Sequence, residues 1–219
     1  MKYIPLKKIF SLNGLLYIIL DKSVVEKTPY NIVRLAEKLA CAGADIFQLR
    51  FGESPDREFL KLATHLGKAV HARKKIFLVN NRADIAYLCG ADGVHLGAED
   101  IPVLQARKII GKSKIVGKTV HSLDELKKFQ KEEIDYLSVG PLFRTITKPH
   151  LVPLQHRELK EFLKRVRKPL FGIGGITLEN LKYLCSVGIR NIALCHGIVL
   201  AQNPSKYTKV IKQCLKKAS

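Results

Sequence analysis

Residues 138–150 read SVGPLFRTITKPH, an apolar run that turns into two threonines, Thr145 and Thr147, and then Lys148. Hydroxyls and an ammonium ion at such a point suit phosphate oxygens, which take donors and positive charge. Two other stretches point to the same chemistry. In FGIGGI (171–176), Gly174 and Gly175 expose backbone N–H groups just before a helical pattern, whose positive dipole end favours an anion. In IFQLR (46–50), Arg50 offers a planar fork of donors suited to a second phosphate. Asp100, with Asn80 and Asn81, supplies hard oxygen atoms of the kind that hold magnesium together with water. The partners implied are phosphorylated small molecules, with Mg2+ as the cofactor.

These residues need elements to position them, and the sequence supplies an alternation. Short apolar runs occur at 15–20, 46–50, 75–80, 93–97, 114–119, 136–142, 169–176 and 191–199. Between them lie amphipathic segments; in ELKEFLKRV, Leu159, Phe162, Leu163 and Val166 recur at helical steps. Gly43, Gly90 and Gly188 fall where helices should stop, and Ser122 with Glu125 forms a capping-box pattern. Strands separated by helices pair in parallel, and strands apolar along their whole length are covered on both faces. The pattern predicts an α/β protein, a single (β/α)8 TIM barrel spanning residues 15–219 after an N-terminal extension of residues 1–14. A doubly wound open sheet is the alternative.

In a barrel, the carboxyl ends of the strands form the active face. The polar residues expected there are Gln48 and Arg50, Asn80 and Asn81, Asp100, and Thr119 with His121. The later strands add Thr145, Thr147 and Lys148, then Gly174 and Gly175, then Cys195 and His196. Taken singly each has an ordinary explanation: an interior glutamine, a helix cap, an exposed loop histidine. Their joint placement on one rim is the signal.

Bulk composition narrows the classes further. A hydrophobic content of 47% excludes a disordered chain. Thirty-eight Lys and Arg against nineteen Asp and Glu give +19, a balance that attracts anions. The lysines are scattered over helices and no aromatic residues interleave with them, which argues against a nucleic-acid platform. The five cysteines are far apart and form no C-x-x-C pair, as reduced thiols in a cytoplasm would be. No run approaches the roughly 20 apolar residues of a membrane helix. Homo-oligomerisation is left open.

The ordered segments QLR (48–50), VNNRADIAYLCGADGVHLGAED (79–100), VGKTVHSLDEL (116–126), DYLSVGPLFRTITK (135–148) and FGIGGITLENL (171–181) together resemble the thiamine-phosphate synthase family and its relative, thiazole tautomerase. The resemblance implies a transferase of thiamine biosynthesis that joins a hydroxymethylpyrimidine diphosphate to a thiazole phosphate. It assigns Gln48, Arg50, Asn80 and Thr119 to the pyrimidine diphosphate, Asp100 to magnesium and Lys148 to the leaving group. Thr145, Thr147, Gly175 and the Cys195–His196 pair would surround the thiazole phosphate. Lys148, Thr119 and His121 are the candidates for catalytic work.

The chain also departs from the synthase pattern. Gly52 stands where Q-L-R-x-K has lysine, and Asn81 where N-D-R has the aspartate. Thr119 replaces serine, and Cys195–His196 replaces a small or hydroxyl-bearing pair. Lys74, Lys75 and Lys118 are the candidates to replace the missing ammonium. Loss of the lysine and aspartate is also a tautomerase trait, for which His121 or His196 would move the proton. A non-catalytic barrel binding a phosphorylated ligand or nucleic acid is the remaining alternative.

Overall fold

The computed structural model describes residues 6–52, 55–146 and 151–218. Eight parallel strands close into a barrel in chain order. They are β1 (Leu16–Asp21), β2 (Ile46–Arg50), β3 (Ile76–Asn80), β4 (Gly93–Leu96), β5 (Ile115–Val120), β6 (Tyr136–Val139), β7 (Leu170–Ile173) and β8 (Asn191–Leu194). Pairing of β8 with β1 excludes the open sheet. After β1 come α1 (Lys22–Val25) and α2 (Ile32–Cys41). The next six strands are followed in turn by α3 (Asp56–Ala72), α4 (Ala83–Leu88), α5 (Val103–Ile110), α6 (Leu123–Phe129), α7 (His156–Arg165) and α8 (Leu178–Val187). After β8 come α9 (His196–Val199) and α10 (Pro204–Lys217). Among the described residues no helix is long and apolar enough to cross a membrane.

The alternation of side chains along each strand builds two apolar layers from one run of residues. Leu16, Ile18, Leu20, Phe47, Leu49, Phe77 and Val79 point outward beneath the helices. Tyr17, Ile46, Ile76, Leu78, Ile115, Tyr136 and Phe171 fill the barrel. The Tyr136 ring crosses the interior so close to Gly117 that any Cβ there would collide with it. A 3-10 turn at Leu6–Ser11 brings Phe10 under the amino end of the barrel, stacked on Tyr136 with ring centroids 4.7 Å apart.

Three strands are clearly shorter than the apolar runs suggest: the sixth, the seventh and the eighth. The seventh ends at Ile173, where Gly174 and Gly175 turn to positive φ. The sixth ends at Val139, because Gly140–Pro141 follows and proline has no N–H for the ladder. The eighth ends at Leu194. Cys195 (φ −123°, ψ −95°) turns the chain there, and His196–Val199 is helical. These early stops deliver backbone to the carboxyl-end mouth of the barrel.

Candidate active site

The mouth holds a cavity of about 600 Å3. Every expected site residue among those described lines it. Gln48 and Arg50 come from β2, Asn80 and Asn81 from the end of β3, and Asp100 from the loop after β4. Thr119 and His121 follow from β5, Thr145 from the loop after β6, Gly174 and Gly175 from β7, and Cys195 and His196 from β8. Thr147 and Lys148 lie outside the described residues.

The floor is polar in an ordered way. Gln48 Nε2 donates to the Tyr17 hydroxyl at 2.6 Å, and the Tyr17 and Tyr136 hydroxyls are 3.0 Å apart. His95 bridges Tyr136 (Nδ1, 2.7 Å) and Thr119 (Nε2, 2.7 Å), and Thr119 Oγ1 is 2.9 Å from Ser138 Oγ. Burial pushes the ionisation of both tyrosines well up, so both stay protonated.

On one wall, Arg50 Nη1 donates to Asp21 Oδ2 at 3.1 Å. The two are register partners at the ends of β2 and β1. Asp21 Oδ1 accepts from the Ser23 N–H and hydroxyl at the start of α1, so this carboxylate is fixed before it aims the guanidinium. Burial above all pushes the Cys195 thiol up to about 12, and it remains a neutral packing group. His196 is pushed below its usual value, chiefly by burial, which favours its neutral ring.

On the Asp100 wall a single residue, Gly97, is held at both its N–H and its carbonyl. Gly97 N–H donates to Asp100 Oδ2 at 2.5 Å, while Lys118 Nζ donates to Gly97 O at 2.6 Å. Lys118 is buried on the outer side of β5, over the Phe129 ring, and burial pushes its amine down. It therefore supports the loop and does not replace the missing ammonium. Neither do Lys74 and Lys75: both stand outside the cavity lining, and Lys75 approaches Asp45 at 3.9 Å. Gly52 has φ +60° with open space where a Cβ would stand, and Asn81 has φ +64°. Asparagine and aspartate both tolerate that left-handed conformation, whereas lysine does so only under strain.

Gly174 (φ +94°) and Gly175 (φ +63°) fold back against the loop after β6. A Cβ on Gly174 would meet Pro141 at 2.6 Å, and one on Gly175 would strike Arg144 O. Their lack of side chains thus serves close packing as well as ligand approach.

A family model described as thiamine monophosphate synthase matches residues 16–198. The chain belongs to the thiamine monophosphate synthase family. It is 36% identical over 181 residues to a thiamine-phosphate synthase of Prochlorococcus marinus subsp. pastoris, covering 83% of this chain and 52% of that protein. It thus spans about half the length of that relative. To the thiamine-phosphate synthase of Clostridium acetobutylicum it is 33% identical over 204 residues, covering 93% and 96% of the two chains. The solved thiamine phosphate pyrophosphorylase of Pyrococcus furiosus superposes with a TM-score of 0.84 at 28% identity, covering 94% of this chain and 98% of that one.

Several groups in, beside or beneath the cavity of this thiamine monophosphate synthase family member escaped the sequence reading. Asp21 was hidden at the end of the first apolar run, although a carboxylate closing a strand is a visible cue. His95 and Tyr136 read as strand residues; only inward parity, shared by His95 and Gly97, would have marked the histidine. Glu99 and Arg144 line the cavity from loops, where periodicity carries no information. His121 is held twice. Its N–H donates to Glu125 Oε2 at 2.7 Å, and its Nδ1 donates to Gly140 O. The Ser122 hydroxyl accepts from Glu125 N as the capping pattern requires, while the Glu125 carboxylate reaches one residue further back than usual.

Proposed function

We propose that this chain joins hydroxymethylpyrimidine diphosphate to thiazole phosphate, giving thiamine phosphate and pyrophosphate. The bond from the pyrimidine methylene carbon to the diphosphate oxygen breaks, and its electron pair leaves with pyrophosphate. The thiazole nitrogen then donates its lone pair to the pyrimidine cation and forms the new carbon–nitrogen bond. Such a site works by stabilising the departing charge and by excluding water that would trap the cation.

The observation that carries this reading is one cavity with anion-binding groups on facing strands. Arg50, supported by Asp21, stands with Gln48, Asn80 and Thr119 on one side. Thr145, Gly174, Gly175 and His196 stand on the other. The first set would hold the pyrimidine diphosphate and the second the thiazole phosphate; the family resemblance assigns the leaving group to Lys148. Ile19, Ile173 and Ala193 supply apolar wall between them. The names of the curated relatives support the same reading, above all the clostridial protein that the chain matches over nearly its whole length.

Among the described residues there is no group of three or more His, Cys, Asp or Glu placed to hold a metal. The oxygen donors Asp100, Asn81, Asn80 and Glu99 nevertheless share one wall. Such a set fits magnesium, which keeps most of its water and takes phosphate oxygens as ligands. Bound there, the ion would neutralise diphosphate charge. Lys118 and Gly97 keep Asp100 in place.

The test is to mix both substrates with purified protein, with and without magnesium, and to follow thiamine phosphate and pyrophosphate. Magnesium-dependent formation of both products in equal amounts is the expected result. Absence of product from a folded protein that binds thiazole phosphate would overturn the proposal.

A further inference from the structure

The polar floor of the barrel is a single file of hydrogen bonds, and with the Gln48 amide turned Nε2 toward Tyr17 its direction follows from counting protons. Each phenol owns one proton. The Tyr17 oxygen receives the Gln48 N–H, so the Tyr17 proton must go to Tyr136. The Tyr136 oxygen therefore receives, and its own proton goes to His95 Nδ1. Nδ1 must then carry a lone pair, the ring is neutral, and its proton sits on Nε2, facing Thr119 Oγ1. In the reverse direction, the Tyr17 proton would face the Gln48 N–H across 2.6 Å, donor against donor. A cationic ring would likewise set Nδ1–H against the Tyr136 proton.

We propose that His95 is a positioning residue that makes Thr119 a dedicated hydrogen-bond donor to the substrate diphosphate. Its Nε2–H occupies one lone pair of the Thr119 hydroxyl, so the hydroxyl proton is not spent on His95. Ser138 Oγ, 2.9 Å away, is the resting acceptor of that proton, and a phosphate oxygen competes for it. With the opposite direction, Thr119 would spend its proton on His95 and present only lone pairs to an anion. Gln48 sets the sense of the file from the other side of the cavity, so two groups that line the pocket are joined beneath it.

The burial of the file keeps this sense fixed. Gln48, Tyr17, Tyr136, His95 and Ser138 are all buried, and His95 lies nearly parallel to the Tyr136 ring. A donor held in advance toward developing negative charge costs no reorganisation when the bond breaks.

The proposal rests on the reading of Thr119 as a diphosphate contact, whereas the His95 tautomer does not. The first experiment is 15N NMR of the histidine-labelled full chain, with His95 identified by its cross-peaks to the Tyr136 ring. The expected spectrum has a pyrrole-like Nε2 and a pyridine-like Nδ1 at neutral pH. An Nδ1–H tautomer or an imidazolium overturns the proposal. The second is calorimetric binding of magnesium pyrophosphate to wild type, His95→Gln and His95→Asn. A glutamine can still offer an amide N–H to Thr119, so its affinity should stay within about threefold of wild type. The shorter asparagine should lose about tenfold to a hundredfold, the range for losing a hydrogen bond to a charged group. Equal losses in both variants, or none in either, overturn the positioning role. Failure of wild type to bind pyrophosphate overturns the diphosphate contact itself, whatever the tautomer.

Discussion

At the scale of single residues, ionisation and backbone angle decide what each cavity group can do. The thiolate is the reactive form of cysteine, and with its thiol pushed up to about 12, Cys195 would carry roughly one thiolate in ten thousand at pH 8. Cys41 is exposed. Mass-resolved alkylation with iodoacetamide at pH 8 should therefore label Cys41 first and Cys195 last; early labelling of Cys195 would contradict its burial. Gly52 supplies the second residue-scale prediction. Gly52→Lys places an ammonium where the family pattern has one, but at φ +60° it should cost about 1–2 kcal/mol of stability, read by denaturant unfolding. Asn81→Asp at φ +64° should carry no comparable backbone cost, because both side chains suit that conformation. An undiminished Gly52→Lys would mean that the loop relaxes to another conformation.

At the scale of elements, the amino ends of the strands show what holds the mouth in shape from below. The Leu16, Phe77 and Val116 N–H groups donate to Asp45, Asp92 and Asp135 at 2.9, 2.8 and 2.8 Å, and Leu15 N–H donates to Asn191 at 2.9 Å. Each acceptor lies just before or at the start of a neighbouring strand, so one side chain ties two strands at the barrel floor. Asp135 also pairs with Arg107 Nη2 at 2.5 Å, and both side chains are nearly enclosed. Asp135→Ala leaves a buried guanidinium without its partner and should cost about 3–5 kcal/mol in chemical denaturation. It lies at the end of the barrel opposite the cavity, so kcat of the folded fraction should be unchanged. The strands themselves were legible in the sequence because both their faces are buried, which makes a run such as IFQLR apolar apart from its functional residues. The helix stops at Gly43, Gly90 and Gly188 were legible for a local reason, and all three have positive φ. The aspartate ties were not legible: one carboxylate per unit, in GAD or EID, is too sparse to read as a repeat. The same limit hid the floor of hydrogen bonds, since Tyr17, His95 and Tyr136 meet only after the barrel closes.

At the scale of the whole molecule, the net charge of +19 becomes a statement about encounter with anions. Part of the acidic minority is committed locally: Asp45, Asp92 and Asp135 bind backbone at the amino end of the barrel, and Asp45 and Asp135 also pair with basic side chains. Basic side chains dominate the outer faces of α7 and α10, and Arg50 and Arg144 line the mouth. An anionic substrate is then attracted from a distance that salt controls, because the screening length falls from about 30 Å at 0.01 M to about 10 Å at 0.1 M. Contacts made inside the cavity are screened much less. Raising ionic strength across that range should lower kcat/KM for the diphosphate substrate severalfold and leave kcat within experimental error. A steady-state salt series with a chloride salt and magnesium held constant separates the two quantities. If kcat fell in step with kcat/KM, salt would be weakening the groups that hold the departing pyrophosphate, and the cavity would be more open to solvent than its walls imply. If neither moved, the surface charge would contribute nothing to capture, and anion selection would reside wholly in the pocket groups at the ends of the strands.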